Sequence, residues 1–153
     1  MDFAFTPQQE TLRREVRQFI AENLNDEIVE EMDAHAGAER PRGPSSEVSA
    51  LFKKIHERGW LGIAYPKEYG GQDGDRVSQY IVEEEFHRAG IAITLGGSGA
   101  PAILAAGTEE QKQYYIPRLI NREITFCLGF TEPHAGADLA SLRCSAVRDG
   151  EDF

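Results

Sequence analysis

Basic residues are scarce in this chain. Sixteen Lys and Arg stand against 26 Asp and Glu, a formal net charge of −10. No basic stripe interrupts that balance, which excludes nucleic acid and an anionic membrane surface as partners, since both call for clustered cations. Long apolar runs are missing too. The amino terminus is polar by its seventh residue, and nothing approaches the roughly 20 apolar residues of a membrane span, so a chain kept in the cytoplasm is expected. Cysteine is limited to Cys127 and Cys144, too far apart for a C-x-x-C motif; both are expected to be small buried hydrophobes beside strands. The histidines, His35, His56, His87 and His134, lack metal-ligand spacing. No nucleophile with a paired base is visible, and the run Gly96-Gly97-Ser98-Gly99 lacks the G-K-[ST] ending of a phosphate loop.

What is present is helical periodicity. A length of 153 residues with 41% hydrophobic residues accommodates one domain and a fragment of a second. Thr6 and Gln9 form a T-x-x-Q capping box, with Pro7 at the first helical position and Leu12, Val16, Phe19, Ile20 and Leu24 on one face. Arg13, Arg14 and Arg17 are expected to face water, and the pattern extends toward Ile28, Val29 and Met32. Ser45 or Ser46 caps a second helix carrying Val48, Leu51, Phe52 and Ile55, stopped by Gly59. Residues 60 to 75 are rich in glycine and predict a coil anchored by Trp60, Ile63, Tyr65 and Tyr69. A third helix, roughly Val77 to Ala89, buries Ile81, Val82 and Phe86; its Glu83-Glu84-Glu85 run is expected to be a solvated face. Small residues around Ser98 and Gly99 predict a helix broken or kinked at Pro101. Thr108 and Gln111 repeat the capping box for a final helix bent at Pro117.

The period then changes. Residues 124 to 130 and 143 to 147 read as strands, and Asp149-Gly150 is a hairpin signal. Between them the chain breaks at Thr131-Glu132-Pro133, passes Gly136, which can take φ > 0, and resumes at Asp138. This loop offers a hydroxyl, a stiff bend and backbone N–H groups that a ligand can approach, a plausible cradle for a planar ring with an anionic tail. Glu132 reads as part of the turn rather than as a buried base.

Three segments carry a family resemblance. Thr131-Glu-Pro-His-Ala-Gly-Ala-Asp138 resembles the flavin loop of the acyl-CoA dehydrogenases, usually T-E-P-x-A-G-S-D. Gly59-Trp-Leu-Gly-Ile63 with Pro66-Lys-Glu-Tyr-Gly-Gly71 is similar to their first loop. Gly107 to Lys112 followed by Tyr115-Ile-Pro-Arg-Leu119 is similar to their last amino-terminal helix. The resemblance implies a mainly α chain: residues 1–123 as a bundle of about five helices, then residues 124–153 as the first strands of a β-domain. It implies FAD held by Leu128, Phe130, Thr131, Gly136 and Ala137. It also implies an acyl-CoA substrate near Ala137, Ser98 and Gly99, an electron-accepting flavoprotein partner, and a homo- or hetero-oligomeric enzyme. In the family a glutamate takes the α-proton while the β-hydrogen leaves as hydride to the flavin. That glutamate belongs to a later helical domain, so no catalytic residue is assigned here and the chain alone is expected to be inactive. Ala137 replaces the usual Ser, Leu128 a common aromatic, and Arg122 a usual Gly. Two other readings stay open: a flavin oxidase or monooxygenase of the same superfamily, and a non-catalytic helical interaction module.

Overall fold

In the computed structural model, residues 4–36, 43–93, 95, 97–127 and 129–150 are described, with 35 and 36 described through their backbone alone. The first helix, α1 (Pro7–Asn23), starts at the reciprocal box expected of it: Thr6 Oγ1 accepts the Gln9 N–H at 3.2 Å and Gln9 Oε1 accepts the Thr6 N–H at 3.0 Å. It does not continue through Ile28. Asn25 Oδ1 accepts the Ile28 N–H at 2.9 Å and begins a separate helix, α2 (Asp26–Ala36), because a short amide side chain competes with the helical ladder for backbone donors. Helix α3 (Ser46–Glu57) is capped by Ser45 and ends before Gly59, whose φ of 70° only glycine adopts without strain. Asp75 caps α4 (Arg76–Arg88), and hydrogen bonds from Ser78 hold its carboxyl below the usual carboxylate range. Helices α5 (Gly99–Ala106) and α6 (Glu109–Ile120) follow, the latter with the second Thr/Gln box. Pro101 neither breaks nor kinks α5. It falls in the first turn, where a backbone N–H has no intrahelical acceptor to lose. Pro117 does lie inside α6.

Two apolar clusters hold these six helices together. The larger takes Val16 and Phe19 from α1, Ile28 from α2, the inner face of α3, Val82 and Phe86 from α4, and Ile91 and Ile93 beyond it. At its centre Trp60 meets Phe19 edge-on at 5.2 Å and Phe86 at 6.2 Å between ring centroids. The second cluster joins Tyr65 and Tyr69 to Ala100 of α5 and to Ile116, Leu119 and Ile120 of α6. Leu95 packs against both.

Residues 60–75 are more ordered than an open coil. They form two 3-10 turns, Trp60–Gly62 and Lys67–Tyr69, and fold back through Gly71 N–H to Pro66 O, Asp73 N–H to Tyr65 O and Gly74 N–H to Ile63 O. Tyr69 is buried and donates its hydroxyl to the Glu109 carboxylate at 3.0 Å. Burial first, then that hydrogen bond, pushes its pKa up to about 12.

The acidic run on α4 is not a solvated face. Glu85 is only 5% exposed; Arg17 Nε and Nη2 donate to its carboxylate at 2.8 and 2.9 Å, and Arg13 Nε lies 3.1 Å away. Neighbouring Glu84 accepts from Arg13 at 3.0 Å and from Arg88 at 2.9 Å, and the Arg88 guanidinium holds its carboxyl below the ordinary range. Arg13, expected to face water, is part-buried, and Arg17, exposed as expected, still reaches Glu85, so both clasp α1 to α4. Arg13 and Arg17 are four residues apart and share one side of α1, so both reach the adjacent acids of the facing helix.

The mainly helical class is as expected, but 124–130 and 143–147 are not strands among the described residues. Among the described residues the one ladder-like feature lies between them, an antiparallel bridge of Glu132 with Ala135. A strand is defined by backbone hydrogen bonds to a neighbouring strand, and no described residue supplies a backbone partner to these segments. Cys127 and Cys144, expected buried beside strands, are exposed for the same reason. Among the described residues no helix is long and apolar enough to cross a membrane.

Candidate functional site

Phe126 sets where the loop begins. It sits between α5 and α6: its ring lies 5.8 Å from that of Tyr115, and a Cβ on Gly99 would come within 2.9 Å of its Cδ2. Gly99 is therefore glycine because the first turn of α5 touches this aromatic ring. That contact ties the region of Ser98 and Gly99 to the segment leading into Thr131. Ser98 itself is exposed, just before the helix.

Beyond Phe126 the loop is built on two local devices. Glu132 N–H donates to Ala135 O at 2.9 Å and Ala135 N–H donates back to Glu132 O at 3.1 Å, closing a tight turn around Pro133 and His134. Ala135 is the buried foot of that turn. After it, Asp138 O accepts both the N–H and the hydroxyl of Ser141 as the chain makes a 3-10 turn at Leu139–Ser141. The Glu132 carboxylate then fastens the return: it accepts the Arg143 N–H at 3.0 Å and the Cys144 N–H at 2.7 Å, with His134 Nε2 at 3.2 Å. Both carboxylate oxygens are occupied in this way, so Glu132 positions the loop and is not a free general base. Its sequence carries no signal for those bonds, because they span 11 and 12 residues.

Four of the five expected flavin contacts, Phe130, Thr131, Gly136 and Ala137, lie exposed on this one loop; the fifth, Leu128, lies outside the described residues. Among the described residues, the backbone N–H groups of these four make no hydrogen bond, and neither does the Thr131 hydroxyl. Being exposed, these donors are open to water or to a ligand. Gly136 departs from expectation in one respect. Its φ is not positive, and a Cβ there would meet nothing within 4 Å, so its smallness leaves a face open to a ligand rather than serving a left-handed turn. The donor set fits a flavin: a hydroxyl and two backbone N–H groups at Phe130 and Thr131 suit a polar ring edge, and the N–H groups of Gly136 and Ala137 suit an anionic tail. No cluster of His, Cys, Asp or Glu among the described residues could hold a metal ion.

Comparison with known proteins agrees with the motifs. Residues 6–123 match the family model described as acyl-CoA dehydrogenase, N-terminal domain. The chain is 39% identical over 155 residues to acyl-CoA dehydrogenase FadE26 of Mycobacterium tuberculosis, covering all of this chain and 38% of that protein. Its fold is similar to the ChsE4-ChsE5 complex from Mycobacterium tuberculosis and to the Tcur3481-Tcur3483 steroid ACAD, each at a TM-score of 0.78 and 37% identity. Those likenesses cover 98% of this chain and 37% and 38% of theirs. An acyl-CoA dehydrogenase from Bacillus anthracis, solved in complex with FAD, is similar at 28% identity and a TM-score of 0.67, covering 90% of this chain and 23% of that one. The chain thus spans a little over a third of the curated relative's length.

Proposed function

Because the chain belongs to the acyl-CoA dehydrogenase family, we propose that it forms the amino-terminal part of an FAD-dependent enzyme that desaturates an acyl-CoA thioester between its α and β carbons. The observation that carries this reading is the loop whose exposed Thr131 hydroxyl and N–H groups at Phe130, Thr131, Gly136 and Ala137 make no hydrogen bond among the described residues. When bound, the flavin supplies the hydride acceptor. The chain's own part is to hold and orient it. The Thr131 hydroxyl and the backbone around it grip the ring edge, and the backbone at Gly136 and Ala137 meets the charged tail without the hydroxyl that a serine at 137 would add. Preorganised donors of this kind stabilise charge developing on the ring without reorganising during the reaction. With Glu132 engaged by the Arg143 and Cys144 amides, the proton-abstracting carboxylate comes from elsewhere in the enzyme.

The Phe126 contact with Gly99 supports placing the acyl arm beside α5, near Ser98, Gly99 and Ala137. A steroid-linked acyl arm is the first substrate to try, because a similar solved structure is described as a steroid ACAD. Assembly into an oligomer, as the ChsE4-ChsE5 complex suggests, and reoxidation by an electron-carrying flavoprotein complete the proposal.

The test uses the longer protein that carries this chain. Mixed anaerobically with steroid-side-chain and straight-chain acyl-CoA thioesters, it is expected to lose its oxidised-flavin absorbance and form the 2,3-enoyl thioester. No bleaching with any thioester would overturn the reading, and rapid oxygen consumption during turnover would favour an oxidase or monooxygenase.

A further inference from the structure

A cavity of about 290 Å³ opens between α3 and the turn after α6, and no residue of the 126–142 loop lines it. Its walls include Ser49, Phe52, Lys53, His56, Asn121 and Arg122. In a chain of net charge −10, this lining holds, among the described residues, two cations and a histidine, and no Asp or Glu. Neighbouring Lys54 is engaged with Asn23 Oδ1 at 2.7 Å, whereas Lys53 and Arg122 have no ion pair among the described residues. Asn121 Nδ2 spends one of its two N–H groups on Glu123 Oε1 at 3.1 Å.

Arg122 is held in an unusual way. Its φ of 59° lies in the left-handed region, shared among non-glycine described residues only with Asp73. The side chain keeps contact with solvent, but its guanidinium carbon sits 3.4 Å from the centroid of the buried Phe52 ring. Stacking fixes the plane of the guanidinium and covers one face, leaving the N–H groups around its edge to donate. Burial lowers its pKa from the usual arginine value, yet an arginine stays charged at any pH at which the protein is folded. The left-handed backbone closes α6, with the Arg122 N–H donating to Leu119 O at 2.9 Å and the Glu123 N–H to Arg118 O at 2.8 Å, and it leaves at the cavity wall a stacked cation with no ion pair among the described residues.

We propose that this cavity binds a phosphate group, with Arg122 and Lys53 supplying charge-assisted donors and Ser49 and His56 supplying further polar contacts. Several donors converging from two elements match a tetrahedral dianion better than a carboxylate, which one guanidinium fork satisfies. The site goes beyond the dehydrogenase reading, because it shares no residue with the flavin loop. The phosphate could be free or the end of a nucleotide.

The test is an NMR titration of the 153-residue chain with inorganic phosphate at constant ionic strength, using chloride as the reference salt. Saturable shifts are expected at the amides of Ser49, Lys53, His56 and Arg122. Lys53→Gln on the exposed face of α3, and Arg122→Asn, which tolerates the left-handed region, should each weaken binding at least tenfold, while Lys54→Gln binds as wild type. A nucleoside monophosphate separates the sources: equal affinity assigns the site to phosphate alone, and higher affinity assigns it to the nucleotide. Shifts that chloride reproduces, or wild-type phosphate binding by Lys53→Gln, would overturn the proposal.

Discussion

Replacing Glu85 with alanine is expected to lower the unfolding free energy by about 3 kcal/mol, the low end for removing one partner of a buried ion pair. The cause is the loss of the carboxylate that Arg13 and Arg17 share, which leaves the part-buried Arg13 with Glu84 alone. Arg17 is 54% exposed and can swing into water, but Arg13 is 17% exposed and remains pinned between α1 and α4. Its buried Nε, 3.1 Å from Glu85 and already without a hydrogen bond, would lose the charge that compensates it. In thermal unfolding the loss corresponds to a fall of roughly 6 to 12 °C for a chain of this size. Glu83→Ala is the control, since its carboxylate meets only Gln79 Nε2 at 2.7 Å, and it should cost no more than about 0.5 kcal/mol. Urea unfolding measures both. Equal costs for the two variants would return the acidic run to a solvated face.

Gly71→Ala should be as damaging for a steric reason. A Cβ at Gly71 would fall well inside van der Waals contact of the Tyr65 carbonyl oxygen and within 2.7 Å of the Tyr65 Cβ. That carbonyl cannot simply move aside, because it accepts the Asp73 N–H at 2.9 Å and Tyr65 is part of the second core cluster. Overpacking against backbone costs about 1 to 3 kcal/mol, and disruption of the fold-back hydrogen bonds adds to it. The neighbouring glycine gives the contrast. Gly70 has a φ of 89° but nothing within 4 Å of its Cβ position, so Gly70→Ala should cost only the backbone preference, about 1 to 2 kcal/mol. A chemical denaturation series should rank Gly71→Ala as the worse; the reverse order would mean that the loop adapts to bulk but not to backbone strain.

What the sequence made legible is what a few adjacent residues decide. The Thr6 and Thr108 boxes and the Ser45 cap are three-residue devices, and each is found where its spacing put it. The Thr131-Glu132-Pro133 turn was equally local. Glu85 was missed because three consecutive glutamates look like solvent to any local rule. Yet Glu85 adjoins Phe86 and lies four residues after Ile81, on the buried side of α4, and Arg13 and Arg17 recur at helical spacing on α1. Only the packing of α1 on α4 reveals that these belong together. The strands fail for a related reason: alternation in 124–130 and 143–147 specifies which way side chains point, while the ladder that makes a strand depends on a neighbour. The staple from Glu132 to Arg143 and Cys144 was invisible for the same cause. The expectation of FAD at Leu128, Phe130, Thr131, Gly136 and Ala137 came from the family resemblance, and the structure adds that the four described positions share one loop and have N–H groups without a hydrogen bond among the described residues.

The measurement closest to the central claim is flavin retention by the longer protein carrying Thr131→Val. Valine keeps the β-branched shape but removes the hydroxyl, which makes no hydrogen bond among the described residues, so thermal unfolding of the flavin-free protein should be unchanged. Losing one hydrogen bond to a buried ring edge costs about 1 to 3 kcal/mol, or roughly 5- to 150-fold in affinity. The account predicts that the variant releases its flavin during gel filtration under conditions in which the wild type keeps it, while both unfold at the same temperature. Flavin retention by Thr131→Val equal to that of the wild type would contradict it.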